Sequence, residues 1–300
     1  MITVLINGGL GNQLFQVFAA LAAAIRNGDT CYFLYTPRDA SGKRVTYWNT
    51  LLHNLKPMMV LSTQANVQRF MQLPVYQEPA FRYNKLPSKT AMNATPLKLV
   101  GYFQSDKYFA DVRAEMYDKL RLREQQQHIR TMFAESPWFS SDAGTATVAM
   151  HFRIGDYAHI QEFHPILSLE YYKQALKHIV DRVPSTDKIN VLIFGEARDN
   201  AVIVDDHMQQ LKADPAFSAR CRFHKVPDMI EDWKQMLLMS VCDNNIIANS
   251  TFSWWGAYLN QNPGKVCYPS TWFGPALQKH DTRDLFPASW VKVQSAQSAQ

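Results

Sequence analysis

Two short stretches of this chain carry polar side chains of the kinds, and at the spacing, that chemistry on a phosphorylated substrate needs. The first is His151-Phe152-Arg153-Ile154-Gly155-Asp156-Tyr157, which follows the apolar run Thr147-Val148-Ala149-Met150. An arginine and an aspartate three positions apart at the end of a strand offer a cation for an anion and a carboxylate for a proton. Open α/β sheets bind their ligands at such carboxyl ends. The second is Asn249-Ser250-Thr251-Phe252-Ser253-Trp254-Trp255-Gly256, after Ile246-Ile247-Ala248. Its small polar side chains favour a helix N-cap, and a helix start presents free N–H groups at the positive end of the dipole, an anion site. The same pattern also suits an ordinary capped helix with Trp254 and Trp255 in the core.

Together these groups suit group transfer from a nucleoside diphosphate. Negative charge grows on the departing diphosphate, so a fixed cation and oriented amides stabilise the transition state more than the ground state. Arg153 never loses its charge, and its planar fork pairs with phosphate at two points. The attacking hydroxyl must lose a proton. Asp156 is the candidate general base, or it serves only to orient Arg153; His159, Glu162 and His164 are reserves.

The elements that must position these residues read as α/β. Thr3 to Ile6 predicts a strand, Asn7 to Asn12 a glycine turn, Gln13 to Arg26 a helix, and Cys31 to Tyr35 a second strand, a β-α-β opening that implies a parallel sheet. A dinucleotide fingerprint would need a third glycine where Leu14 stands, although Asp39 could supply its acid. Gly9 and Gly11 still allow a ligand close to the backbone, with the Asn12 and Gln13 amides at hand. Further on, Gln64 to Gln72 predicts a helix and Leu97 to Val100 a strand. The Gly101 to Phe109 stretch follows, whose aromatics either line a sugar cleft or pack. Ala110 to Phe133 predicts one amphipathic helix with Arg113, Lys119, Arg121 and Arg123 on a solvated face, and Pro137 to Thr145 a linker. Strands at 147–150, 190–194 and 265–268 and helices at 169–180 and 233–239 complete the pattern. Domains are expected at 1–145 and 146–300.

Bulk numbers narrow the class. In 300 residues, 31 basic against 26 acidic side chains give a net charge of +5, which suits a phosphate-bearing ligand and is too little to argue for nucleic acid. The cysteines at 31, 221, 242 and 267 have no metal spacing and read as buried free thiols of a reducing compartment. Asp205-Asp206-His207 reads as surface charge on a helix. The apolar stretch Leu14 to Ile25 lacks a basic flank and is too short to span a bilayer. The expectation is a cytoplasmic protein without a transmembrane segment, with peripheral membrane contact left open.

Four blocks then occur together in one order: Gly8 to Gln16, Gly101 to Ser105, His151 to Tyr157, and Ile247 to Gly256, with His164-Pro165-Ile166-Leu167-Ser168 after the third. The set resembles the α-1,2-fucosyltransferases of glycosyltransferase family 11, over roughly Ile2 to Trp290. The resemblance implies a GT-B-like α/β fold of two Rossmann-type domains, their parallel sheets facing a central cleft. It also implies a GDP-β-L-fucose donor, inversion, no metal or other cofactor, and a galactose-terminated glycan acceptor fucosylated at the 2-OH. It carries donor-binding roles onto His151, Arg153, Asn249, Ser250, Thr251 and Ser253, and the glycine turn adds Gly9, Gly11, Asn12 and Gln13. Tyr102, Gln104 and His164 are the acceptor-side candidates. Three positions depart from the family pattern: Ile154 replaces its second arginine, Gln235 an acid for which Glu231 or Asp232 could substitute, and Asn244 a common histidine. A different linkage or donor, or an inactive sugar- or nucleotide-binding homologue, are the alternatives.

Overall fold

The computed structural model describes residues 1–88, 90, 95–136, 138–139, 144–196, 203–261 and 264–295. Contacts divide the chain into two units, Met1–Glu124 with His280–Pro287, and Gln125–Lys279 with Ala288–Gln300.

In the first unit, β1 (Ile2–Val4) leads through the glycine turn into α1 (Leu10–Arg26) and on to β2 (Phe33–Tyr35), β3 (Met59–Leu61), α2 (Gln64–Met71), β4 (Val75–Gln77) and β5 (Leu97–Val100). The strands pair in parallel in two sheets, β1-β5-β4 and β2-β3, and an isolated parallel bridge joins Ile2 of β1 to Cys31, just ahead of β2. The apolar face of α1 is almost continuous, with Leu14, Phe15, Val17 and Phe18 fully buried, and Phe18 meets Phe109 edge-on at 5.4 Å. Phe103, Tyr108 and Phe109 pack in this core, whereas Tyr102 points out. The helix expected over Ala110 to Phe133 is broken into α3 (Arg113–Leu120) and α4 (Leu122–Phe133), because Arg121 takes the left-handed conformation at φ 49°. Arg113, Lys119, Arg121 and Arg123 are all exposed.

The division between units falls within α4, ahead of the boundary expected near 145. The reason is Gln126, which is buried in the second unit and donates to Ser240 Oγ (2.9 Å) and the Leu259 carbonyl (3.0 Å). Much of the expected linker, residues 137 and 140–143, lies outside the described residues.

The second unit runs β6 (Thr145–His151), α5 (Leu169–Val180), β7 (Lys188–Phe194), α6 (Asp205–Ala213), α7 (Pro215–Ser218), β8 (Cys221–Lys225), α8 (Asp232–Ser240), β9 (Asn244–Ile246), α9 (Thr251–Tyr258), β10 (Val266–Pro269) and β11 (Val291–Val293). Its six strands are parallel in the order β11-β10-β9-β6-β7-β8. Renumbered within the unit this is 6-5-4-1-2-3, the doubly wound order whose direction reverses between its first and fourth strands. Asp243 fixes that junction: its Oδ2 accepts from Thr147 N (2.7 Å) and Thr147 Oγ1 (2.8 Å), which sets β6 and β9 in register. Asn244 Oδ1 accepts from Lys265 N at 2.9 Å, so this departure from the family pattern extends the sheet ladder. Trp254 and Trp255 are fully buried, worth about 4–6 kcal/mol each as an upper bound. A Cβ on Gly256 would come within 2.9 Å of Met239 Cβ, so the glycine permits the close approach of α9 to α8.

All four cysteines are free and buried. His207 packs edge-on to Phe152 at 5.8 Å, and among the described residues no group of three or more histidine, cysteine or carboxylate side chains could hold a metal ion. Among the described residues no helix is long and apolar enough to cross a membrane.

Candidate active site

The chemistry-bearing stretches of the second unit are the loops that leave β6 and β9 on the carboxyl side of the sheet, at the point where the winding reverses. Alternation continues past the strand. Phe152 and Ile154 turn into the core, 2% and 6% exposed, while Arg153 between them turns outward. Arg153 is braced on several sides. Its Nη2 donates to Asp156 Oδ1 at 2.5 Å, its Nη1 to Glu196 Oε1, and its guanidinium lies 5.0 Å from the centre of the Tyr157 ring. The Tyr157 ring is also stacked on His164, at 4.8 Å and 20°. The Tyr157 hydroxyl donates to the Asn249 carbonyl at 3.1 Å, which joins the Arg153 loop to the loop after β9. Burial pushes that phenol up to about 12, against the opposing pull of Arg153, so it stays a donor.

The loop after β9 turns into α9 as its composition predicts. Ser250 is the N-cap, and its hydroxyl accepts from Phe252 N at 3.3 Å. Ser253 is fully buried and its hydroxyl donates back to the carbonyls of Ala248 and Ser250, both at 3.3 Å, so it shapes the turn from inside. Thr251, at the first helical position, is half-buried. Asn249 donates to the carbonyls of Pro165 (2.9 Å) and Trp272 (3.3 Å), while its Oδ1 is buried without a protein partner. Asn249 begins an Asn-Ser-Thr sequon but is only 1% exposed; a further sequon begins at Asn93, which lies outside the described residues. His151 lies against Phe252 (5.4 Å between ring centres), and its Nδ1 is likewise buried and unpartnered. Burial, with the Arg153 charge in support, pushes His151 down to about 3, so its imidazole is neutral. Neutral histidine can exchange one hydrogen bond with a ligand but adds no charge.

The remaining candidates are in the first unit, where the loops after β1 and β5 meet. Gly8, at φ 87°, is the position that needs glycine; Gly9 is the extended N-cap of α1 and Gly11 is buried in its first turn. Gln13 is buried and donates to the carbonyls of Gly8 (2.9 Å) and Val45 (2.8 Å), so it clamps the turn. Asn12 Oδ1 accepts from Gln104 Nε2 at 3.1 Å, and Gln16 bridges Asn7 N and the Gly101 carbonyl. Asp39 is the turn's counterpart rather than a ribose ligand: its carboxylate accepts from the backbone amides of Gly8, Lys43 and Arg44. Burial opposes its ionisation, but those amides outweigh it and hold the carboxyl below its usual range.

A profile of glycosyl transferase family 11 matches residues 76–294. The chain belongs to that family. Family 11 relatives align along nearly its whole length. An O-antigen biosynthesis glycosyltransferase of Escherichia coli, WbnK, is 27% identical over 96% of this chain and 99% of its own. An E. coli alpha-1,2-colitosyltransferase is 25% identical over 96% and 97%. A galactoside 2-alpha-L-fucosyltransferase of Caenorhabditis elegans is 23% identical over 98% and 79%. Among solved structures, a mutant of Arabidopsis thaliana FUT1 in complex with GDP superposes with a TM-score of 0.56 at 14% identity, covering 97% of this chain and 75% of that one. That likeness is one of fold. With parallel sheets in both units, it places this family 11 chain in the GT-B-like α/β class.

The other departures from the family pattern are also placed. Gln235 Nε2 donates to the Ile230 carbonyl at 2.8 Å. Of its proposed substitutes, Glu231 pairs with Lys234 at 2.6 Å and Asp232 Oδ1 accepts from its neighbour Trp233 N. Three structural residues escaped the sequence reading. Tyr157 stands in a quoted stretch and Glu196 just past the strand predicted at 190–194, but only the fold puts them against Arg153. Glu78 is separated by more than twenty positions from the amides it binds, those of Tyr102 (2.8 Å) and Phe103 (3.0 Å). It holds Phe103 at φ 54°, and Gly101 is required there because a Cβ would meet Glu78 Cβ at 2.4 Å. Burial pushes the Glu78 carboxyl up despite those two hydrogen bonds.

Proposed function

We propose that this family 11 enzyme transfers L-fucose from GDP-β-L-fucose to the 2-OH of a terminal galactose in a glycan acceptor, with inversion and without a metal. The observation that carries the reading is the joining of Arg153 to the start of α9 through Tyr157. One fixed cation and one set of N-terminal amides flank the reversal point of the second sheet, where a nucleotide binds in doubly wound folds. Arg153 takes the growing charge of the leaving diphosphate, with the amide of Thr251 at the start of α9 beside it. His151 and Asn249 offer buried, neutral hydrogen-bonding atoms to the nucleoside side of the donor. In the resting structure Asp156 orients Arg153, and we assign it that role first. As general base it would, in addition, produce an acid limb in the rate–pH profile that Asp156→Asn abolishes. Tyr102, Gln104 and His164 are assigned to the acceptor side, and the setting is cytoplasmic or membrane-peripheral.

The identity of the E. coli alpha-1,2-colitosyltransferase favours a second reading, in which the donor sugar is a deoxy relative of fucose. The test is GDP release from GDP-fucose with and without lactose, in the presence of EDTA, alongside thermal shifts with GDP, ADP and UDP. The expected result is a GDP-selective shift and lactose-dependent release that EDTA leaves unchanged. A GDP-selective shift without release, whatever the acceptor, would favour another donor sugar or an inactive homologue.

A further inference from the structure

The contacts of Arg153 contain a problem for an anion-binding arginine. Its Nη2 is held by Asp156 and its Nη1 by Glu196, a residue on the loop after β7 to which no role has been given so far. The three ionised side chains sum to −1 at the place where, on the reading proposed above, a diphosphate must bind. Arg153 is 21% exposed at its side chain, Asp156 47% and Glu196 38%, so Glu196 can withdraw into water at little desolvation cost. The two acids differ in attachment. Asp156 is three residues from Arg153 in a short helical turn, Gly155–His159, whereas Glu196 reaches across from a neighbouring strand's loop. Tyr157, under the guanidinium, keeps the arginine in place when one carboxylate leaves.

We propose that Glu196 is a positioning residue that competes with the diphosphate for Nη1 of Arg153. It holds the guanidinium in place from the β7 side before the donor arrives, gives way to a phosphate oxygen, and returns as the nucleoside diphosphate leaves. The return matters most after transfer. Breaking the sugar–phosphate bond leaves an extra negative charge on the β-phosphate, so the product grips a bare arginine more tightly than the donor does. A carboxylate waiting on the same nitrogen offsets that grip and keeps product release from becoming slow.

The experiment is calorimetric titration of GDP into the wild type, Glu196→Gln and Glu196→Ala, at low and high salt, with GDP product inhibition measured on the same proteins. Asp181→Asn is the control: it removes one negative charge from an exposed pair with Lys177 at the far end of α5. Partly screened by water, one unit of charge a few ångströms from a phosphate is worth about tenfold in affinity. Both Glu196 variants are therefore expected to bind GDP about tenfold more tightly and to show stronger product inhibition. The gap should close at high salt, and Asp181→Asn should match the wild type. Unchanged or weaker GDP binding by both variants overturns the proposal, since the carboxylate would then be inert or a ligand of the nucleotide itself. Equal tightening in Asp181→Asn overturns it too, as an effect of overall charge. A wild type that binds none of GDP, ADP and UDP overturns the functional reading and this inference together.

Discussion

Replacing Arg153 by alanine is the sharpest perturbation of the proposed chemistry, because the structure separates its effect on catalysis from its effect on folding. The guanidinium is anchored at both terminal nitrogens and stacked on Tyr157, so it reaches a diphosphate already oriented. Two charge-assisted hydrogen bonds to phosphate are worth about 1.5–3 kcal/mol each. Their sum, about 3–6 kcal/mol, corresponds to a rate loss of roughly 10² to 10⁴. Folding should hardly notice, since the pairs with Asp156 and Glu196 are partly exposed and screened. Lysine at 153 keeps the charge but loses the fork and meets one oxygen at a time, so an intermediate loss of about 10- to 100-fold is expected. The assay is the initial rate of lactose-dependent GDP release, run beside GDP titration and thermal melts. If the interaction strengthens in the transition state, kcat falls by more than GDP affinity does. Activity of Arg153→Ala within tenfold of wild type, at an unchanged melting temperature, would refute the assignment of the arginine to the leaving group.

Two further tests address the surroundings of that arginine and the two sheets. His151, pushed down to about 3 by burial and by Arg153, ordinarily titrates near 6.5, so between those values the unfolded chain binds the extra proton. Stability contributed by keeping the ring neutral is intact above about 6.5 and declines on acidification, by up to roughly 1.4 kcal/mol per pH unit. His151→Asn should flatten the stability–pH curve between pH 4 and 6.5, and an unchanged slope would place the buried titration elsewhere. Two glycines should behave oppositely. A Cβ on Gly264 would lie 1.7 Å from the Asp243 carbonyl, so Gly264→Ala should cost about 2 kcal/mol or more in urea unfolding. At Gly9 a Cβ meets nothing within 4 Å, so Gly9→Ala should unfold like the wild type while losing donor affinity, if a ligand approaches that backbone.

How far the residues alone disclosed this arrangement depended on how far apart the interacting groups lie in sequence. α5 was legible to its ends, Leu169–Val180, because its apolar residues recur at helical spacing. The cap at Ser250 was legible because a capping residue acts on amides two positions away. The break at Arg121 was not, since neither glycine nor proline marks it and the flanking Leu120 and Leu122 both pack inward. Strands such as β3, β4 and β11 have three residues each, too few for alternation to show. Glu78, Glu196 and the Gln126 anchor act across 24 to 133 positions, and no local pattern can reveal such pairings.

The four blocks that carry the family resemblance acquire a common physical meaning from the topology. In the first unit β1 pairs with β5, and the loops after β1 and β5 are the first and second blocks, tied by Asn12 and Gln104. In the second unit β6 lies between β7 and β9, and the loops after β6 and β9 are the third and fourth. The blocks of each pair therefore leave adjacent parallel strands, and the third and fourth flank a reversal of winding, the place in an open parallel sheet where two adjacent loops diverge and leave room for a ligand. The same logic accounts for Ile154. Alternation carries Phe152 and Ile154 into the core beneath the junction and leaves position 153 facing out. An arginine at 154 would have to bury its charge in the hydrophobic core that Ile154 now joins, a cost of several kcal/mol without a partner. The outward electrostatics of this loop thus rest on a single arginine, and the side chains around it, Asp156, Glu196 and Tyr157, govern how strongly it can hold a phosphate.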